Sequence, residues 1–255
     1  GSGDINETGG GVDGGSGGGG SNSVHNLFYD SNFKFMWRAG ETSTIMNQYT
    51  VTTVGNISAL QDSDGYNYVS PQAGNYFYID DANAFMSPTQ KSLTIAFAID
   101  IISNNTNRSI FIQDGGGEYH RNHNTSFSSN TKLYHDNYTP HGSGWSSTTN
   151  ITTYGKVVII LVKNGTSNNN MKYYINGIRK ETSTKTNENY NGNTPNKIII
   201  GGSLYNSNAY SFGSDRLYSV AVWDRALNDN EVQNINFNTL TKTNLPVTTI
   251  RSCLL

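Results

Sequence analysis

Cysteine is almost missing: Cys253 is the only one, so no intrachain disulfide can staple the fold. A lone thiol suits assembly in a reducing cytoplasm, as for a virion, and excludes no compartment. Charge is scarce as well. Charged residues make up 14% of the 255, the formal net charge is −2, and no basic run exceeds the pair Arg179-Lys180. Gripping a polyphosphate backbone needs a clustered basic field, which excludes nucleic acid as an expected partner. Apolar residues reach only 35%. The longest apolar stretch, Val157 to Val162, is far short of the ~20 residues that cross a bilayer as a helix. No membrane partner is expected. Also missing are a Gly-x-Ser-x-Gly elbow and any glycine-rich phosphate loop leading into a helix, which removes two common routes to catalysis.

Asn, Ser, Thr and Gly fill the space left by the missing charge and apolar residues. With 11% aromatics this is not a disorder composition, because disorder needs high net charge and few aromatics. It predicts a folded, loop-rich domain with a neutral polar surface. The chain opens Gly1-Ser2-Gly3 without an initiator methionine and reads as a fragment of a longer protein. Residues 1–22 hold Gly9-Gly10-Gly11, Gly14-Gly15 and Gly17-Gly18-Gly19-Gly20. Such a run buries too little to repay its ordering entropy, so it is a linker, or a stalk if neighbouring chains supply contacts.

Residues 23–255 read as one domain of short strands and turns. Leu93, Ile95, Phe97, Ile99 and Ile101 alternate with small or polar neighbours and define one strand face. Val157 to Val162 is apolar on both sides, the pattern of a central buried strand. Asn176-Gly177, flanked by Met171 to Ile175 and by Ile178-Arg179, predicts a two-residue hairpin with positive φ angles at the turn. One helix start stands out: Asn228 can cap the amide of Glu231 while Glu231 reaches back. Together these predict an all-β protein with about a dozen strands and one short helix after the last core strand.

The stretch Leu217-Tyr218-Ser219-Val220-Ala221-Val222-Trp223-Asp224-Arg225-Ala226-Leu227-Asn228-Asp229-Asn230-Glu231-Val232 resembles the closing signature of the laminin-G-like, concanavalin A-like lectin/glucanase family. Tyr173-Tyr174-Ile175-Asn176-Gly177-Ile178 resembles that family's hairpin. Asp62-Ser63-Asp64-Gly65-Tyr66-Asn67, followed by Leu93 to Ile99, resembles its opening turn and first long core strand. The resemblance spans residues 56–236. It implies a two-sheet antiparallel jelly-roll sandwich, with Trp223 and Leu227 at a core edge and Arg225 bridging beneath the turn. Activity does not follow from fold, since the family holds lectins, adhesins, glycosidases and structural modules.

The family's hydrolases carry an alternating Glu-x-Asp-x-x-Glu run, and none occurs here. A glycosidase needs two carboxylates facing each other about 5 to 10 Å apart. Asp80-Asp81 are adjacent and point opposite ways if in a strand, Glu118 follows three glycines, and Glu181 and Glu188 lie in a Thr/Asn-rich loop. A catalyst is not expected. His120, His123, His135 and His141 cluster in sequence, but their spacing does not share a strand face, and they read as surface residues. Asp62, Asp64 and Asn67 form an oxygen-rich turn that suits either calcium or a bare Asx turn. Calcium is the one cofactor under consideration.

Recognition is expected in aromatic loops, at Tyr134, Tyr138, Trp145 and Tyr205, with Gly115 to Asn150 read as long and irregular. Sugars are held by stacking on an aromatic face plus polar contacts. The sequence therefore predicts a non-enzymatic carbohydrate- or receptor-binding domain of a virion fibre or cell-surface protein. Its expected partners are a surface glycan or protein receptor, other subunits of the assembly, and copies of itself in a homo-oligomer. The alternative is a purely structural module of a phage virion or surface assembly.

Overall fold

The computed structural model describes residues 27–45, 49–82, 85–87, 91–102, 107–114, 121–127, 131–138, 145–151, 154–165, 170–183, 197–202 and 211–242. The glycine-rich start lies outside them. The strands are β1 (Phe33–Arg38), β2 (Thr52–Val54), β3 (Leu60–Gln61), β4 (Asn67–Tyr68), β5 (Tyr76–Ile79), β6 (Ser92–Asp100), β7 (Arg108–Asp114) and β8 (Arg121–Phe127). They continue as β9 (Lys132–Tyr138), β10 (Trp145–Asn150), β11 (Lys156–Asn164), β12 (Met171–Ile175), β13 (Ile178–Thr182), β14 (Lys197–Ile200) and β15 (Arg216–Trp223). Two short helices, α1 (Asp229–Gln233) and α2 (Phe237–Thr241), follow. No helix among the described residues is long and apolar enough to cross a membrane.

Two large antiparallel sheets face each other as a jelly-roll sandwich. One has the order β1-β15-β6-β11-β12-β13, the other β10-β9-β8-β7-β14-β5-β2, and β3-β4 is a separate small hairpin. The inner core takes one face of each strand: Leu93, Ile95, Phe97 and Ile99 from β6, Val157, Ile159 and Leu161 from β11, Phe77 and Ile79 from β5. Alternation thus does on β6 what its sequence predicts.

The six-stranded sheet is buried on its second face too. Val158, Ile160 and Val162 of β11 join Trp223, Leu227, Val232, Ile235 and Leu240 in a separate apolar layer. That covering layer explains why β11 is apolar on both sides. Ala96 and Ala98 of β6 lie under it, small enough for the helices to approach closely. The layer is pinned by hydrogen bonds: Trp223 Nε1 donates to Leu27 O at 2.8 Å. Thr94 Oγ1 donates to Arg225 O at 2.8 Å and accepts from Leu227 N at 3.0 Å.

Local signals hold at the closing turn. Asn228 Oδ1 accepts from Glu231 N at 3.0 Å and Glu231 Oε2 accepts from Asn228 N at 2.8 Å. Arg225 bridges Asp30 and Glu231 at 2.5 and 2.6 Å. Asn176 and Gly177 have φ of 49° and 77°, the positive angles of a type I′ turn. A Cβ on Gly177 would stand 3.1 Å from Gln233 Cα, so glycine also lets α1 pack on the hairpin.

Two expectations need correction. Among the described residues two short helices rather than one follow the last core strand: Asn236 caps α2 through Thr239 N at 2.9 Å. The Gly115–Asn150 segment is not an irregular loop, since its described residues form β8, β9 and β10. Their Asn, His, Thr and Ser side chains hide the strand pattern, yet each strand pairs antiparallel with its neighbour outward from β7.

Candidate functional site

The four aromatic residues expected to bind ligand separate. Trp145 starts β10 opposite His135 and points into the core, 7% exposed. Its ring meets Tyr173 edge-on at 6.4 Å between centroids. It packs the gap between the sheets at their β10 edge and is no open platform. Tyr134, next to Ser126 and Ser146 in register, lies on the outer face and donates its hydroxyl to Asp136 Oδ2 at 3.0 Å. Tyr138 ends β9 opposite Arg121, with its side chain outside the described part, and Tyr205 lies outside the described residues.

The Asp62–Asn67 turn is closed by its own chain. Asp62 Oδ1 accepts from the amides of Asp64 and Tyr66, both at 2.9 Å. Its Oδ2 accepts from Lys156 Nζ at 2.6 Å and from the Tyr218 hydroxyl at 3.1 Å. Lys156 also pairs with Asp64, and Asn67 is drawn into β4 opposite Gln61. Burial works against the charge on Asp62, but Lys156 and the Tyr66 amide outweigh it and bring its pKa down to about 2. Burial likewise opposes the Lys156 ammonium, and the two carboxylates nevertheless hold its pKa above the ordinary lysine value. Calcium takes six to eight oxygens, whereas here an ammonium ion already sits against both carboxylates. The residues present do not fit the metal.

Glu181 is in β13, not a loop, and has a structural task. Its carboxylate accepts from Thr148 N at 2.9 Å, Thr149 N at 2.6 Å, Thr148 Oγ1 at 3.1 Å and Thr149 Oγ1 at 2.5 Å. It thereby ties the β13 edge of one sheet to the β10 edge of the other. Burial raises its pKa, and these hydrogen bonds overcome that and hold it below the ordinary value. Glu118 and Glu188 lie outside the described residues. Two of the four histidines are buried rather than on the surface: His123 and His135 are fully enclosed, with rings 6.2 Å apart. Thr125 Oγ1 is 3.0 Å from His135 Nδ1. His120 and His141 lie outside the described residues. Among the described residues no three His, Cys, Asp or Glu side chains group as a metal site.

Two of the surface clefts formed by the described residues bear on function. The smaller, about 170 Å³, runs between the Asp62 turn and α2 and includes Arg38, Tyr66, Tyr218 and Lys242. Several of its polar groups are already engaged. Tyr66 donates to Asn238 at 2.6 Å, Arg38 to Leu240 O at 2.9 Å, and Lys242 Nζ lies 3.9 Å from the Tyr66 ring centroid.

The larger, about 320 Å³, lies at the end of β5 beside edge strand β2 and is lined by Tyr49, Thr50, Thr52, Ile79, Asp80, Asp81 and Phe85. Phe85 stands edge-on to the core ring of Phe35 at 6.2 Å, and Tyr49 stacks on Phe85 at 4.0 Å and 18°. Backbone bonds hold both rings: Thr44 N donates to Tyr49 O at 2.8 Å, and Phe85 N and Met86 N to Ala82 O at 3.1 and 2.8 Å. Asp80 pairs with Lys197. Asp81 follows it, exposed and at φ 54°. A held aromatic ring beside carboxylates and hydroxyls is chemistry that recognises polyols. Sequence reasoning missed this cleft, because its residues come from three separated segments. The only local signal was Asp80-Asp81 directly after the Tyr76-Phe77-Tyr78-Ile79 strand.

The sequence profile described as the concanavalin A-like lectin/glucanases superfamily matches residues 71–233. Comparison with curated proteins returns no match. Among solved structures, the fold is similar to the binding domain of botulinum neurotoxin DC in complex with rat synaptotagmin II. That match has 14% identity and a TM-score of 0.60, covering 87% of this chain and 54% of that one. A botulinum neurotoxin type C structure, whose cell entry depends on two ganglioside molecules, matches at 13% identity and TM-score 0.60, covering 85% and 52%. Domain 4 of AbnA, a GH43 extracellular arabinanase from Geobacillus stearothermophilus, in complex with arabinotriose, matches at 13% identity and TM-score 0.58, covering 80% and 97%. The chain spans about half the length of the neurotoxin structures. At these identities the likeness is one of fold.

Proposed function

The chain belongs to the concanavalin A-like lectin/glucanase superfamily, and from that premise we propose that it is a non-enzymatic glycan-binding module. It serves a virion fibre or cell-surface protein, attaching the assembly to a surface glycan or glycosylated receptor. The observation that carries the reading is the Tyr49–Phe85 stack beside Asp80 and Asp81 in a cleft of about 320 Å³, within the ~300 to 1,000 Å³ range of ligand sites.

Three further points support it. The six-stranded sheet is covered on its outer face from β1 to β12, with only edge strand β13 exposed, so recognition falls to the seven-stranded sheet and the sandwich edges. The carboxylate of Glu181 is engaged in joining the sheets, which removes one of the acids a glycosidase reading would use. Similar folds include domains whose structures were determined with arabinotriose or in connection with gangliosides. The glycine-rich residues 1–22 suit a linker or stalk to the rest of an assembly.

A glycan array probed with the purified protein tests the reading. Selective binding to a subset of glycans is the expected result. An array with no signal, at protein concentrations that detect millimolar affinity, would favour the structural-module alternative.

A further inference from the structure

We propose that the Tyr49–Phe85 cleft takes one ring of a neutral saccharide and rejects glycans bearing a carboxylate at that position. The inference rests on the glycan-binding reading above and narrows it to a ligand class.

The aromatic part comes first. Phe85 is held between Phe35 and Tyr49, and both Tyr49 and Phe85 line the cleft. A pyranose or furanose offers a patch of C–H bonds that packs on such a ring, with the phenol fixed from behind and little freedom left to lose.

The polar part sets the charge. Asp80 and Asp81 are exposed, and carboxylates, which accept hydrogen bonds and donate none, match the donor hydroxyls of a sugar. Lys197 pairs with Asp80 and is drawn further onto the outer face, 4.1 Å from the Tyr78 ring centroid. Asp81 has no ion pair among the described residues, so the cleft keeps net negative charge. Thr50 and Thr52 add neutral hydroxyls. An anionic sugar entering here meets like charge at short range, which is how a site discriminates against a competitor of similar shape. The Tyr49–Phe85 stack offers one aromatic platform, which suits one sugar ring.

A matched pair of probes tests this: lactose against sialyllactose, with arabinotriose as a second neutral ligand, measured by saturation-transfer NMR and calorimetry. Asp81→Asn and Tyr49→Ala are the variants, each checked for an unchanged melting temperature. Asn tolerates the left-handed backbone that Asp81 adopts, so Asp81→Asn removes charge without straining the chain. Binding of a neutral probe, at least tenfold weaker in Asp81→Asn, and sialyllactose binding at least tenfold weaker than lactose in the unaltered protein, are the expected results. Sialyllactose binding as tightly as lactose would overturn the ligand class. Glycan binding unchanged in Asp81→Asn would overturn the site while leaving the glycan-binding reading standing. Should Tyr49→Ala prove unstable, Asp81→Asn decides alone. No binding of any probe would remove both.

Discussion

Trp145 shows how one residue changes meaning between sequence and fold. In sequence it stands beside His141-Gly142-Ser143-Gly144 and reads as a loop platform; in the structure it is 7% exposed and wedged against Tyr173. Truncating a buried tryptophan costs about 3 to 5 kcal/mol. Trp145→Ala is therefore expected to lower the urea midpoint strongly, whereas Tyr134→Ala on the outer face shifts it little. Equal, small shifts for both would put Trp145 back on the surface. Asp62 carries the clearest acid response. Its folded pKa of about 2 lies below the usual value of 3.8, so its contribution is present above pH 4 and is lost as pH falls through 2. Asp62→Asn should flatten the stability-versus-pH profile between pH 4 and 2. An unchanged slope would mean that the Lys156 pairing does not hold in solution. The chelator ethylenediaminetetraacetic acid, by contrast, should leave the melting temperature where it is, because Lys156 supplies the positive charge.

At the element scale, two ties hold the layers together. The α1 capping box is one. Asn228→Ala removes a hydrogen bond to Glu231 N and is expected to cost about 1 kcal/mol, seen as a lower denaturation midpoint with unchanged slope. The Glu181 clasp is the other. Glu181→Ala should raise amide hydrogen exchange in β10 and β13 specifically, since the amides of Thr148 and Thr149 lose their acceptor. Exchange that rises uniformly instead would make Glu181 a general stabiliser and not a clasp. The elements that were legible in the sequence were those with local signatures: β11 by its unbroken apolar run, the Asn176-Gly177 turn by its dipeptide, α1 by its cap. Strands β8 to β10 were not legible. Buried polar residues such as Asn124 and Thr125 of β8 and His135 and Asp136 of β9 lie on both faces of those strands, and β10 alternates in burial but is mostly Ser and Thr, so no apolar period of two appears. Helix α2 is as short as α1, but its capping partner three residues after Asn236 is Thr239 and not the Glu or Gln that marks a helix start in sequence.

For the whole molecule, the sandwich is asymmetric. One sheet is enclosed between the core and the helical layer, and the cleft lies at the β2 edge of the other. That cleft assembles Tyr49, Asp80, Asp81 and Phe85 through topology, which no local sequence pattern reports. Its carboxylates flank an aromatic ring, and its proposed role is binding without bond cleavage. The most direct test measures both properties at once. The purified protein is mixed with an insoluble neutral polysaccharide identified from the array, retention on the solid is quantified, and reducing ends in the supernatant are counted over the same hours. Saturable retention that Asp81→Asn weakens, with no release of reducing ends above a protein-free control, is the expected result. Steady release of reducing ends that scales with protein concentration would contradict it.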